Sequence, residues 1–308
     1  MRPYGRLGCL AVAKQWRRGV RHRRQHRAFA RHGVWVWPGR GVASSPVQAG
    51  PENCGRTDHA GAGGFFRAGD LFHQCVAGFV MSSVSVIIPA LDEEEPIAGV
   101  VQECFATGLP NEVIVVDNGS IDRTAERARE AGARVVTAPR GYGRACAAGV
   151  RALSPQCDIV VFLDGDGSDA PRFMNQLVEP VARGTYDFVI GSRTRGQREP
   201  GSMNFQQIFA GRVAGLILRL LYGVRYTDMS PFRAIRRDAL ERLDMREQTY
   251  GWNLEMQMKA ARDGLHVLEI PVNHRRRAGG ESKVSGTLRG TFVAGARIAA
   301  TLLRVALG

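Results

Sequence analysis

Three short apolar runs in this chain each stop at acidic residues, and that repetition constrains the fold more than any other feature of its 308 residues. Residues 84–89 lead into Asp92 and Glu93, residues 112–117 end on Asp117, and residues 159–163 end on Asp164-Gly165-Asp166. Runs of this length, rich in Val and Ile, read as buried strands. Helical patterns separate them, and strands alternating with helices specify a parallel α/β sheet. Parallel strands deliver their carboxyl ends to one edge of the sheet, where open α/β folds bind ligands. One aspartate after a strand is a common turn or cap. Three acidic clusters on one edge make a polar crevice able to hold a nucleotide and a metal.

The remaining elements follow in order. Acidic residues and a proline at 92–96 suit the first turn of a helix running to about residue 107. Ser120 is the expected N-cap of the next helix, which ends near Gly132. Residues 135–136 form a third strand, and Gly141-Tyr142-Gly143-Arg144-Ala145 opens another helix. A helix over 171–183 and strands over 188–191 and 267–272 complete the sheet. A helix is expected over Phe205–Tyr222, with Ile208, Phe209, Val213, Leu216, Ile217 and Leu220 on one side and Arg212 and Arg219 on the other. A second amphipathic stretch spans residues 288–307, with Arg289, Arg297 and Arg304 in one quadrant. Arginines interrupt both stretches before about 20 apolar residues accumulate, so neither reads as a membrane span. Each suits a helix lying on an anionic membrane, or equally one packed on its own domain.

Net charge is +13, yet residues 1–80 hold thirteen of the 42 Lys/Arg and only three of the 29 Asp/Glu. The basicity thus belongs mostly to the first quarter, and a nucleic-acid partner for the body does not follow from it. Residues 1–80 show no persistent period. They read as a disordered or targeting extension, or as an over-extended start, with Met81 directly before the first clear strand. The expected domain is therefore 81–308. Six scattered cysteines form no CxxC pair, and Cys146 and Cys157 lie in apolar surroundings, as reduced core cysteines of a cytosolic protein do.

Asp164 and Asp166, one glycine apart, can face a single hard cation, which takes oxygen ligands. A plain Asp/Gly turn accounts for the dipeptides as well. A calcium-binding EF-hand loop is excluded, because its sixth and twelfth positions fall on Asp169 and Asn175 instead of Gly and Glu. No Gly-Lys-Ser/Thr follows a glycine loop, and Cys146 stands where a dinucleotide fingerprint has its third glycine.

From Met81 the chain resembles glycosyltransferase family 2, closest to its dolichyl- or polyprenyl-phosphate mannose synthase-like branch. The likeness runs through Pro89-Ala90-Leu91-Asp92-Glu93, Val115-Val116-Asp117-Asn118-Gly119-Ser120, the Gly141–Ala145 turn, Asp164-Gly165-Asp166, Gly191-Ser192-Arg193, Asp228-Met229-Ser230-Pro231-Phe232-Arg233, Trp252-Asn253-Leu254-Glu255 and Arg277-Ala278-Gly279-Gly280-Glu281-Ser282-Lys283. It departs at Leu91, Asp92, Asn118 and Pro231. The resemblance implies a GT-A fold: a Rossmann-like, mostly parallel sheet with helices on both faces, here with a C-terminal amphipathic helix. It implies donor contacts from Pro89, Leu91, Glu93, Asp117, Asp164, Gly165, Arg193, Arg277 and Lys283. Mg2+ or Mn2+ would sit on Asp164, Asp166 and Ser168, with Asp169 the alternative third ligand, and Asp166, Glu255 and Arg233 would be catalytic.

The implied activity is inverting transfer of a hexose from a GDP-mannose or UDP-glucose type donor to a polyprenyl phosphate, peripherally at the cytoplasmic membrane face. A separate membrane-anchor subunit is compatible with that reading, and no nucleic acid is expected. A metal would stabilise charge on the leaving diphosphate, and Arg and Lys would clamp phosphates. A phosphate acceptor is already anionic near neutral pH, whereas a soluble or glycan hydroxyl acceptor would need Glu255 as base. A basic membrane- or nucleic-acid-binding module built on residues 1–31 is the non-enzymatic alternative.

Overall fold

The computed structural model describes residues 82–279 together with Thr301, Arg304 and Val305. The expectations for residues 1–80, Lys283 and most of 288–307 fall outside the described residues. Seven strands form one sheet: β1 Val84–Ala90, β2 Pro110–Asp117, β3 Arg134–Thr137, β4 Ile159–Phe162, β5 Phe188–Ser192, β6 Arg233–Arg236 and β7 Val267–Pro271. Their order is β3-β2-β1-β4-β6-β5-β7. Every neighbouring pair is parallel except those made by β6, which runs antiparallel to β4 and β5.

The helices are α1 Ile97–Ala106, α2 Thr124–Glu130, α3 Tyr142–Arg151, α4 Met174–Ala182, α5 Phe205–Tyr222, α6 Arg237–Arg242 and α7 Trp252–Arg262. All seven residues of β1 are buried, which is why it reads as an apolar run with little alternation. Val86 and Ile88 face a core shared with α1, α2 and α4 through Val101, Ala128 and Leu177. Ile87 faces a second core shared with α3, α5, α6 and α7 through Cys146, Leu218, Leu240 and Met256. Each fully buried aliphatic side chain contributes about 1.5–3 kcal/mol. Helices on both faces and a mostly parallel sheet are what the alternating pattern predicts.

Register places Ala90 beside Asp117 and Ile87 beside Phe162, so the acidic ends of β1, β2 and β4 share one edge. Because β6 is antiparallel, its first residue, Arg233, pairs with Phe162 at that same edge. Arg193 follows β5 there, and residues 272–278 follow β7.

The expected helix boundaries shift at three places. The helix after β2 starts at Thr124, not Ser120. Ser120 instead donates its N–H to Asp117 Oδ1 at 3.0 Å and accepts the Asp92 N–H on its hydroxyl at 3.0 Å, tying the ends of β1 and β2 together. The first helix begins at Ile97, after a turn in which Asp92 adopts a positive φ of 50°. The 171–183 helix opens as a 3-10 turn, Pro171–Phe173.

In α5 the apolar periodicity is present but faces outward. The buried side is Gly211, Ala214, Gly215 and Leu218. A Cβ on Gly215 would stand 2.1 Å from the Tyr226 carbonyl oxygen, so the helix docks backbone against backbone. Phe205, 78% exposed, and Phe209, 57% exposed, stack at 6.0 Å on the opposite side, in line with exposed Val213, Leu216 and Leu220. At the chain's end, Val305 joins the core, Thr301 is buried, and Arg304 pairs with Glu247 at 3.0 Å. Among the described residues no helix is long and apolar enough to cross a membrane.

Candidate active site at the carboxyl edge of the sheet

Leu163, the last residue of the apolar run beyond β4, is fully buried, and the chain then turns through Asp164 to Asp169. Gly165 sits where a Cβ would press on Ala90, Ile88 and Ile97 at 3.2–3.3 Å, so the turn lies flat on β1 and α1. Gly167 turns the chain with φ +75°, which glycine adopts without strain. Asp166 Oδ1 accepts from the Ser168 amide at 2.9 Å and the Ser168 hydroxyl at 2.6 Å. Asp169 turns inward, and its Oδ2 accepts the Asp164 N–H at 3.1 Å. Tyr142 Oη donates to Asp164 Oδ1 at 3.1 Å. Burial, then the charges of Asp166 and Asp169, push the Asp164 carboxyl well above the usual carboxylate range, opposed by the Tyr142 hydroxyl.

Residues 272–278 run beside this turn as a strap. Arg275 N–H donates to Ser168 O at 2.8 Å, Ala278 N–H to Asp166 O at 3.0 Å, and His274 N–H to Gln197 O at 2.9 Å. The strap delivers Arg277, whose guanidinium reaches Asp166 Oδ2 at 3.3 Å and also pairs with Glu93 Oε1. Glu93 is held in turn by its own N–H, which donates to Thr124 Oγ1 at 2.7 Å. One cation therefore joins the acidic ends of β1 and β4. Asp117, half-buried, accepts from the Ser120 amide, and Asn118 bridges Pro139 O and the Gly141 N–H at 2.7 and 2.8 Å. Pro89 is buried within β1 and Leu91 is half-buried just past it.

The expected set of site residues is thus brought together at Glu93, Asp164, Gly165, Asp166, Ser168 and Arg277. Arg193 follows β5, but its guanidinium is engaged: it donates to Asp228 in a two-pronged pair at 2.9 and 2.8 Å. Burial opposes ionised Asp228, yet the Arg193 charge and hydrogen bonds outweigh it and hold that carboxyl below its usual range.

Arg233 and Glu255, both expected to be catalytic, have their polar groups engaged within the fold. Arg233 is fully buried, donates to the carbonyls of Ser230 and Asn253, and lies 5.8 Å from the Phe188 ring centroid. Burial lowers its pKa to about 10. It is a cation within the floor of the site, not at its surface. Glu255 is 1% exposed, and its carboxylate accepts from the amides of Arg246 and Glu247 at 3.0 and 2.7 Å and pairs with Lys259 at 2.9 Å. A carboxylate so occupied anchors the 246–249 loop. That loop covers the glycine-rich turn: Gly143 and Arg144 donate their amides to the carbonyls of Thr249 and Gln248, both at 3.1 Å. A Cβ on Gly143 would lie 2.1 Å from Glu247 O, so the glycine serves close backbone approach.

The family model for glycosyl transferase family 2 matches residues 85–244, from β1 through α6. The chain belongs to glycosyltransferase family 2. An uncharacterized glycosyltransferase of Mycobacterium tuberculosis is 36% identical over 217 residues, covering 69% of this chain and 94% of the relative. A dolichyl-phosphate hexose transferase of Haloferax volcanii is 32% identical over 234 residues, covering 74% and 96%. Among solved structures, glucosyl-3-phosphoglycerate synthase from Mycobacterium tuberculosis, in complex with Mn2+, uridine-diphosphate and glucosyl-3-phosphoglycerate, aligns with a TM-score of 0.59 at 27% identity, covering 73% of this chain and 80% of that one. The sheet is the GT-A sheet expected of the family.

Within this family 2 glycosyltransferase, sequence reasoning missed Tyr142 as the partner of Asp164, Asp228 as the partner of Arg193, and His274. His274 Nδ1 lies 3.8 Å from Asp169 Oδ1, with both groups buried. Tyr142 and Asp228 lie within motifs, but their partners are 22 and 35 residues away, and His274 lies outside every motif, 105 residues from Asp169.

Proposed function

We propose that this glycosyltransferase is metal-dependent and inverting, and moves a hexose from a nucleotide-sugar to a polyprenyl phosphate at the cytoplasmic face of a membrane. The observation that carries the choice of acceptor is the engagement of Glu255. With that carboxylate spent on two amides and Lys259, the acceptor that fits is one that arrives already ionised, as a phosphate monoester largely does near neutral pH.

The donor set suits a hard divalent cation of the Mg2+ or Mn2+ kind. Asp164, Asp166 and Ser168 offer only oxygen, and buried Asp169 Oδ1 has no hydrogen-bond partner among the described residues. Burial, and then the crowding of Asp166 and Asp169, push up the Asp164 pKa, a setting that a cation relieves. Such an ion, held by these three residues, would stabilise the negative charge growing on the leaving diphosphate. Two carboxylates with substrate phosphates completing the shell is the usual arrangement for Mg2+. Arg277 faces the same place and offers a planar fork to a phosphate. Asp117, Pro89 and Leu91, at the ends of β2 and β1, would contact the base.

The outward face of α5 would meet the lipid. Phe205, Phe209, Val213, Leu216 and Leu220 fall within about 80° of arc at 100° per residue, and exposed Arg212 and Arg219 border them instead of lying opposite. An apolar stripe edged by arginine suits an interface rich in anionic lipid.

The test is product analysis with a panel of nucleotide-sugars and polyprenyl phosphate, with and without EDTA. A lipid-linked sugar formed only with divalent metal is expected; no lipid product from any donor overturns the acceptor. A second reading, transfer to a small soluble acceptor, is favoured by the likeness to the structure holding glucosyl-3-phosphoglycerate. Phosphoglyceric acid in the same panel discriminates the two.

A further inference from the structure

Arg277 is fixed to the metal-binding turn more firmly than a surface arginine. Its neighbours Arg275 and Ala278 are hydrogen-bonded to Ser168 O and Asp166 O, and a Cβ on Gly167 would touch the Ala278 Cβ at 3.2 Å. On the far side, Gly279 lies against the Glu95 side chain, whose Cβ would be 3.1 Å from an added Cβ. The guanidinium spans Glu93 and Asp166, both buried, and Asp166 Oδ2 is the oxygen left after Ser168 takes Oδ1. A divalent cation bound through Asp166 therefore shares or contests that oxygen with a fixed positive charge.

We propose that Arg277 competes with the divalent cation for Asp166, and that a nucleoside diphosphate resolves the competition by drawing the guanidinium onto its phosphates. The inference rests on the metal assignment above and adds an order to it: the metal binds weakly alone and well with the nucleotide. Two cations at one carboxylate repel each other, and a diphosphate between them turns repulsion into shared attraction. Binding of the two ligands is then thermodynamically coupled, and the coupling passes through one side chain. Glu93 tunes it. By holding the other arm of the fork, it limits how fully Arg277 neutralises Asp166.

The experiment is Mn2+ binding, followed by the electron paramagnetic resonance signal of free Mn2+, with and without UDP or GDP. It is run on the full chain and its Arg277→Gln and Glu93→Gln variants, with folding checked by circular dichroism. In the unaltered protein either nucleotide should tighten Mn2+ on the order of tenfold, within the usual range of coupling between sites. Arg277→Gln should bind Mn2+ alone on the order of tenfold more tightly, with the nucleotide adding little. Glu93→Gln should bind Mn2+ alone more weakly than the unaltered protein. If Arg277→Gln fails to fold, Glu93→Gln decides. Tight Mn2+ binding in the unaltered protein without nucleotide, or no gain in Arg277→Gln, overturns the competition and leaves the metal assignment standing. Absence of Mn2+ binding in every protein and condition overturns the metal assignment, and the competition with it.

Discussion

Tyr142, the first residue of α3, donates its hydroxyl proton to Asp164 Oδ1 at 3.1 Å. It ties the glycine-rich turn to the acidic turn after β4. Tyr142→Phe keeps the ring and removes the bond. A hydrogen bond to a charged group contributes about 1.5–3 kcal/mol to stability, so the melting temperature should fall by several degrees, and kcat/KM should fall as the turn that carries Asp164 loosens. Steady-state kinetics across a metal titration check this, and the half-saturating metal concentration should rise.

Asp166→Ala removes the carboxylate shared by Ser168 and Arg277. Sugar transfer should fall by at least about a thousandfold, in line with losing the main support for transition-state charge. Activity surviving at a tenth of the parent level would remove Asp166 from the metal site.

Asp228 is 2% exposed and holds Arg193 in a two-pronged pair. Its folded pKa is depressed, so its contribution to stability is present above the unfolded carboxyl value, about 3.9, and is lost as pH falls through the folded value. Melting temperature should therefore drop steeply below about pH 4. Asp228→Asn should flatten that acid limb and cost about 3–5 kcal/mol near neutrality, because the Arg193 charge is left buried and unpaired. Thermal melts between pH 3 and 8 measure both effects.

Glu255 separates an anchor from a general base. Glu255→Gln strands buried Lys259 and should lower stability by about 3–5 kcal/mol, yet kcat measured well below the melting point should fall less than about threefold. Adding Lys259→Met should restore much of the stability, which is the coupling expected of contacting partners. A base would instead show a large kcat loss that the second change leaves in place.

The outward face of α5 predicts a split between stability and lipid use. Phe205→Ser with Phe209→Ser changes two exposed side chains and should shift stability by less than about 1 kcal/mol. Flotation with vesicles rich in anionic lipid should drop sharply, and KM for the lipid acceptor should rise while donor KM holds.

The parallel half of the sheet was readable because buried strands such as Val84–Ala90 have no polar face to disguise them. β6 was not. Arg-Ala-Ile-Arg at 233–236 is four residues long and bounded by arginines, and its place depends on slotting antiparallel between β4 and β5. The periodicity of α5 located an apolar stripe but not its direction. Gly215 decides that, since a Cβ there would stand 2.1 Å from the Tyr226 carbonyl oxygen. At the site, acidic residues after strands announced themselves, whereas partners did not. Arg277 meets Glu93 across 184 residues, and Glu255 looks like any helix glutamate until its carboxylate is seen holding two loop amides.

The missing side chain at Gly143 has a consequence for anyone recombining this enzyme with its relatives. With the Glu247 carbonyl 2.1 Å from where a Cβ would stand, the turn at 141–145 and the loop at 246–249 are cut to one another although some hundred positions separate them. A crossover placed between them joins a turn from one parent to a loop from another. Chimeras that move both pieces together keep the fit, and the workable breakpoints lie before residue 141 or after residue 249.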